Sequence, residues 1–171
     1  MAIEKLTKDN GYGQLELNQV AFRRDGRIIA QYKIDAEIPY VENGMLLAVD
    51  YAAKTVKYPE TNQVAGLALN YTTEHMYDER LANGLKHFKL DNGSFLPRLG
   101  LLAAGDRFTT NTVVCDYAVV EAGLKAGTAY YGHATDNGYI TVDTTADKAV
   151  LQAIEATTMP DGSKAIKFVA L

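Results

Sequence analysis

The densest ionisable group in the chain is Glu74-His75-Met76-Tyr77-Asp78-Glu79. On a helix, Glu74 and Asp78 would share one face, and His75 and Glu79 another. That arrangement could hold a divalent metal or present a general base. The same residues suit a solvated turn or helix start, where acids favour the positive end of the dipole. Metal and catalytic sites need further ligands at defined distances. The other histidines, His87 and His133, stand at spacings that match no local motif such as His-Glu-x-x-His. All three histidines therefore read as exposed or hydrogen-bonded loop residues.

The nucleophiles are few. The two serines, Ser94 and Ser163, each follow a turn glycine, and neither lies in Gly-x-Ser-x-Gly. Cys115 follows Val113-Val114 on an expected strand. A reactive thiol needs a base and an electropositive setting, whereas the neighbouring Asp116 raises a thiol pKa. Cys115 thus reads as a small core residue. Asn10-Gly11-Tyr12-Gly13 begins a Gly-x-Gly pattern, but Glu16 stands where the third glycine belongs, and no Walker motif appears. No catalytic, cofactor-binding or metal-ligating residue is assigned, and no enzyme is expected.

The elements that position these residues are punctuated by turns. Seven Asn-Gly or Asp-Gly pairs occur, from Asn10-Gly11 to Asp161-Gly162. Such pairs tolerate positive φ and mark tight turns. Their density favours many short strands. The stretch Phe95–Cys115 sits at the centre: an apolar run, Leu99–Ala104, a Gly105-Asp106 turn, then the Thr/Val-rich run Phe108–Cys115. It predicts a central hairpin.

A second hairpin is expected over Gln14–Ile34, turning at Arg24-Asp25-Gly26-Arg27, with alternation from Ile28 to Ile34. Met45–Tyr51 and Thr55–Tyr58 form a third, ended by Pro59, which has no N–H for a ladder. Val64–Tyr71 is another strand. Tyr77, Leu81 and Leu85 fall on one helical face, so residues 72–91 read as a short helix or a long ordered loop. Asp116–Lys125 carries Tyr117, Val120 and Leu124 at helical spacing but is too short to decide. Thr128–His133 and Tyr139–Val142 flank Asp136-Asn137-Gly138. Val150–Thr157 and Lys164–Leu171 flank Met159-Pro160-Asp161-Gly162, a turn with preset φ.

Length and composition bound the class. One domain is expected from 171 residues, with 47% apolar and 22% charged residues and a net charge of -4. The fold class is mainly β: a barrel or sandwich of short strands with at most one or two short helices. Residues 1–13 read as a loose N-terminal arm and residues 14–171 as the β-rich domain. The acidic balance argues against nucleic acid, and no apolar run reaches the ~20 residues of a membrane span. One cysteine excludes an internal disulfide framework and fits a reducing compartment or a particle assembled inside a cell. No signal peptide is read at the N-terminus. Of the eleven tyrosines, adjacent Tyr130 and Tyr131 would face opposite sides of a strand, one of them towards an interface.

Several segments together carry a resemblance. They are Asn10–Gly26 (Asn-Gly-Tyr-Gly-Gln-Leu-Glu-Leu-Asn-Gln-Val-Ala-Phe-Arg-Arg-Asp-Gly), Glu42–Asp50 (Glu-Asn-Gly-Met-Leu-Leu-Ala-Val-Asp), Tyr71–Glu79, Ser94–Gly100 and Glu155–Gly162. The chain resembles small structural proteins from the head gene clusters of tailed bacteriophages of Gram-positive hosts, and most of all a capsid decoration or cement protein. The resemblance implies a non-enzymatic protein that binds the major capsid protein lattice and stabilises the head. It implies a homo-oligomer, a trimer by analogy, on the capsid exterior of a virion assembled in the host cytoplasm. It carries no catalytic residue and no cofactor. Two alternatives are a tail-tube, head-completion or host-attachment component and, more remotely, a metal-assisted hydrolase using Glu74, His75 and Asp78.

Overall fold

The computed structural model describes residues 3–8, 11–72, 85–93 and 96–171. In chain order its strands are β1 (Glu4–Lys5), β2 (Leu15–Gln19), β3 (Ile28–Ile29), β4 (Lys33–Ile34), β5 (Tyr40–Val41), β6 (Leu46–Asp50), β7 (Thr55–Lys57) and β8 (Leu67–Asn70). They continue as β9 (Leu90–Asp91), β10 (Leu99–Gly100), β11 (Arg107–Thr110), β12 (Val113–Cys115), β13 (Tyr130–Ala134), β14 (Ile140–Asp143), β15 (Leu151–Thr158) and β16 (Lys164–Ala170). Two α-helices are described, α1 (Phe22–Asp25) and α2 (Tyr117–Lys125). The expected mainly β fold is what the chain forms, with two short α-helices among the described residues.

Eight strands make one curled sheet in the order β1-β12-β14-β13-β15-β16-β11-β2. Its two halves meet in a single piece of chain. β11 and β12 belong to one stretch, Arg107–Cys115, interrupted only at Asn111-Thr112. β16 pairs antiparallel with the first half and β14 pairs parallel with the second. The ladder therefore returns to the stretch from which it started, and the architecture is barrel-like. Phe108, Val113, Ile140, Leu151, Ile166 and Phe168 fill its interior. The rings of Phe108 and Phe168 sit 5.8 Å apart, and both side chains are fully buried. Truncating a buried Phe of this kind to Ala costs about 3–5 kcal/mol.

A second sheet runs β3-β10-β8-β6-β7-β4, and β5 pairs with β9 alone. It encloses a second core, with Met45, Leu47, Val56, Ala68 and Leu99. The two cores divide the apolar residues of the stretch read as a central hairpin. Leu99 belongs to the second core and Phe108 to the first, so β10 and β11 lie in different sheets and that hairpin does not form. The Asp106 carboxylate fixes the crossing instead. It accepts the N–H of Ala103 at 2.9 Å and the N–H of Ala21 at 2.6 Å.

The expected hairpin over 14–34 is likewise replaced. Asp25-Gly26 ends α1: Gly26 sits at φ 70°, the left-handed cap that glycine adopts without strain. β2 and β3 then go to different sheets. The alternating run Ile28–Ile34 splits into β3 and β4, which occupy opposite edges of the second sheet.

Residues 1–13, expected as a loose arm, are laid along the barrel over their described part. Glu4 pairs opposite Cys115, Leu6 is buried, and the Leu6 N–H donates to the Val113 carbonyl at 3.0 Å. An apolar residue at position 6 and a cation at position 5 both find partners there, which holds the segment down.

Other expectations match. The hairpin β6–β7 turns through Ala52–Lys54, whose N–H groups at Ala52 and Ala53 donate to the Asp50 carboxylate. The final hairpin β15–β16 turns at Pro160-Asp161-Gly162. The undecided segment after Cys115 is α2, with Asp116 as its N-cap and Tyr117 and Val120 buried. The helix or loop expected over 72–91 falls largely on residues outside the described ones; Leu85–His87 form a 3-10 turn.

Candidate functional site

A buried polar cluster gathers around Glu42, which is 0% exposed. Backbone geometry puts it there. β5 ends at Val41, and Gly44 turns the chain at φ 83°, donating its N–H to the Asn70 carbonyl at 2.8 Å. The Asn70 side-chain amide donates to the Glu42 carbonyl at 2.8 Å. The side chain is thereby aimed between the two sheets.

Three donors from distant segments converge on its carboxylate. The Tyr139 hydroxyl donates to Oε1 at 2.5 Å, and the Gly13 N–H donates to Oε2 at 2.6 Å. Lys5 Nζ lies 3.1 Å from Oε1 and 4.4 Å from the centre of the Tyr139 ring. Burial, the hydrogen bond to Glu42 and the Glu42 charge together push the Tyr139 phenol far above its ordinary pKa. Burial also pushes Tyr58 up to about 12, with smaller contributions from Tyr40 and Glu42. The Tyr58 hydroxyl donates to the Tyr40 carbonyl at 2.6 Å.

A second carboxylate ties down the same segment of chain. Asp161 accepts the Ser163 N–H at 2.8 Å, the Ser163 hydroxyl at 2.6 Å and the Gln14 amide at 2.9 Å. Burial raises its pKa, but those hydrogen bonds and the charge of Lys8 outweigh burial and hold the carboxyl below its ordinary value. Lys8 Nζ also donates to the Asp161 carbonyl. Asn111 joins the cluster, donating to the Ser163 hydroxyl at 2.9 Å and accepting the Gln14 N–H at 2.6 Å.

Between these carboxylates the N-terminal chain passes over Asn111-Thr112. A Cβ at Gly13 would lie 2.1 Å from Thr112 Oγ1 and 2.4 Å from the Asn43 carbonyl oxygen. Only glycine fits. Glu42 and Asp161 thus form a two-point clasp that closes the N-terminal segment onto the barrel. Carboxylates saturated by such donors fix shape; they are poorly placed to take a proton from a substrate.

The residues singled out from the sequence are scattered. Glu74, His75, Asp78, Glu79 and Ser94 lie outside the described residues. His87 is exposed on the 3-10 turn. His133 is buried in β13, with Nε2 3.0 Å from the Thr145 carbonyl and 3.4 Å from Asp143 Oδ1. Cys115 is buried, and burial followed by the charges of Asp116 and Glu4 pushes its thiol up to about 12. Ser163 belongs to the Asp161 cluster. Tyr130 is buried, with its hydroxyl donating to the Val119 carbonyl at 3.3 Å, and Tyr131 is half-buried. Among the described residues, no three His, Cys, Asp or Glu side chains gather as metal ligands, and no helix is long and apolar enough to cross a membrane.

Sequence reasoning missed Glu42. Its signal was an isolated acid between Val41 and the apolar run Met45-Leu46-Leu47, a place where a charge must find partners. The partners, at positions 5, 13 and 139, carry no local signature. Comparison of the chain with protein-family models, curated proteins and solved structures finds no match.

Proposed function

We propose that this chain is a non-enzymatic structural protein of a tailed-phage virion, a decoration or cement protein that binds the major capsid protein lattice on the head exterior. The sequence segments named above support the reading. The structural observation that carries it is the clasp: Glu42 and Asp161 hold chain segments together with their hydrogen-bonding capacity. Such use of buried charge favours a rigid adhesive body that survives on a shell. In this reading the protein assembles in the host cytoplasm, takes no cofactor, and meets neither nucleic acid nor membrane. A homo-oligomer, a trimer by analogy, repeats weak contacts over the lattice, and repetition raises avidity.

The test adds purified protein to expanded heads that lack it. Binding at high copy number, with raised resistance of the heads to heat, is the expected result. Purified virions without the protein would sink the proposal. A copy number matching a single portal or tail ring would reassign it to a connector, tail or host-attachment role.

A further inference from the structure

Beside α2 a groove of about 300 Å³ opens between the N-terminal strand and the end of β14. Ile3, Val114, Val119 and Val142 give it an apolar lining, and Asp116 and Asp143 add two carboxylates. Ile3 is 75% exposed and Val119 41% exposed, so the groove presents apolar surface to solvent. Among the described residues, no Lys or Arg lies within 4 Å of either carboxylate; Asp116 caps α2 at the Val119 N–H and feels the charge of Lys164, and Asp143 accepts the Thr145 N–H at 2.6 Å with His133 Nε2 3.4 Å away.

The complementary set lies elsewhere on the same chain. Leu96-Pro97-Arg98 directly precedes β10, and burial alternates along it as in an extended run: Leu96 is 45% exposed, Pro97 is buried and Arg98 is exposed. In an extended chain, residues two apart face the same side, about 7 Å from one another. Pro97 fixes its own φ, so little chain freedom is lost on docking. Neither Leu96 nor Arg98 lines the groove of its own chain.

We propose that the groove receives the exposed Leu96 and Arg98 side chains of a second copy of this chain. Leu96 enters the apolar lining at Ile3 and Val119, and the Arg98 guanidinium pairs with Asp143 and Asp116. The match in both charge and apolar surface selects this occupant. The contact joins two different patches, so it is heterologous and generates a ring if the rotation closes. The inference stands on the chain's own surfaces, and it can fail while the virion reading survives.

Sedimentation of the full chain over a concentration series tests it. Wild type should self-associate. Val119→Asp and Arg98→Glu, both surface changes, should each raise the concentration of half-association by about tenfold or more. Circular dichroism and the melting temperature confirm that both variants fold. Combining Arg98→Glu with Asp143→Arg should restore association by exchanging the charges; if that chain does not fold, the two surface variants decide the matter. A monomer at every concentration overturns the proposal, as does an oligomer indifferent to both changes. A monomer whose binding to expanded heads is lost in Val119→Asp also overturns it, and gives the groove to another protein.

Discussion

The Tyr139 hydroxyl and the Glu42 carboxylate, 97 residues apart in the chain, meet at 2.5 Å in the buried space between the two sheets. Removing the carboxylate leaves a phenol, a backbone N–H and a lysine without their acceptor. Glu42→Ala should lower the unfolding free energy by about 3 kcal/mol, and Tyr139→Phe by about 1–2 kcal/mol. Denaturant titration measures both. In Glu42→Ala, hydrogen exchange at the Leu6 and Gly13 amides should accelerate while the β15–β16 amides keep their protection. Equal acceleration everywhere would show that Glu42 supports the whole fold and not the clasp.

Asp161 makes the clasp sensitive to acid. Its carboxyl is held below the ordinary value of 3.8, so the folded state favours the ionised form. A lowered pKa contributes stability that is present above the unfolded value and disappears as pH falls through the folded one. The stability difference between wild type and Asp161→Asn should therefore stay constant at neutral pH and shrink below about pH 4. A difference unchanged down to pH 2 would remove Asp161 from the account.

At the alkaline end the tyrosines take over. Tyr58 and Tyr139 are both raised from 10.0, so the fold favours the neutral phenol. Their contribution is complete below about pH 10 and is lost as pH rises through the folded values, which for Tyr58 is about 12. Wild-type stability should fall above pH 10, and the fall should be shallower in Tyr139→Phe. Identical slopes for the two proteins would contradict the burial of that phenol.

Gly13 tests the crossing itself. A methyl group there meets the Thr112 hydroxyl and the Asn43 carbonyl oxygen, and the latter is backbone that cannot swing aside. Gly13→Ala should cost about 1–3 kcal/mol, as overpacking of a tight site does. Pairing it with Thr112→Ala should recover part of the loss, because one of the two obstructing atoms is gone. A neutral Gly13→Ala in thermal melts would mean that the N-terminal chain does not lie against Asn111-Thr112.

Local signals were legible and global partition was not. Pro160-Asp161-Gly162 announces its hairpin, because turn chemistry sits within a few residues, whereas the segment from Asp116 to Lys125 is too short for its periodicity to decide and proves to be α2. Gly105-Asp106 reads as the same kind of turn. Yet the chain on either side of it enters different cores, a choice made by Leu99 and Phe108 finding separate apolar partners. Asp25-Gly26 misleads for a related reason: a left-handed glycine serves a helix cap as readily as a hairpin. The clasp was the least visible part. An acid at position 42 states a need for donors, and only the folded chain says which ones answer.

The double service of Arg107–Cys115 has a temporal side. That one length of polypeptide must receive β16, synthesised about sixty residues later, while also receiving β1 and β2, made about a hundred residues earlier. During translation the flanks that take β14 and β16 wait bare, so closure is governed by late, long-range encounter. Slow maturation, and a window in which a neighbouring nascent chain can pair in place of the proper strand, are built into the order of synthesis.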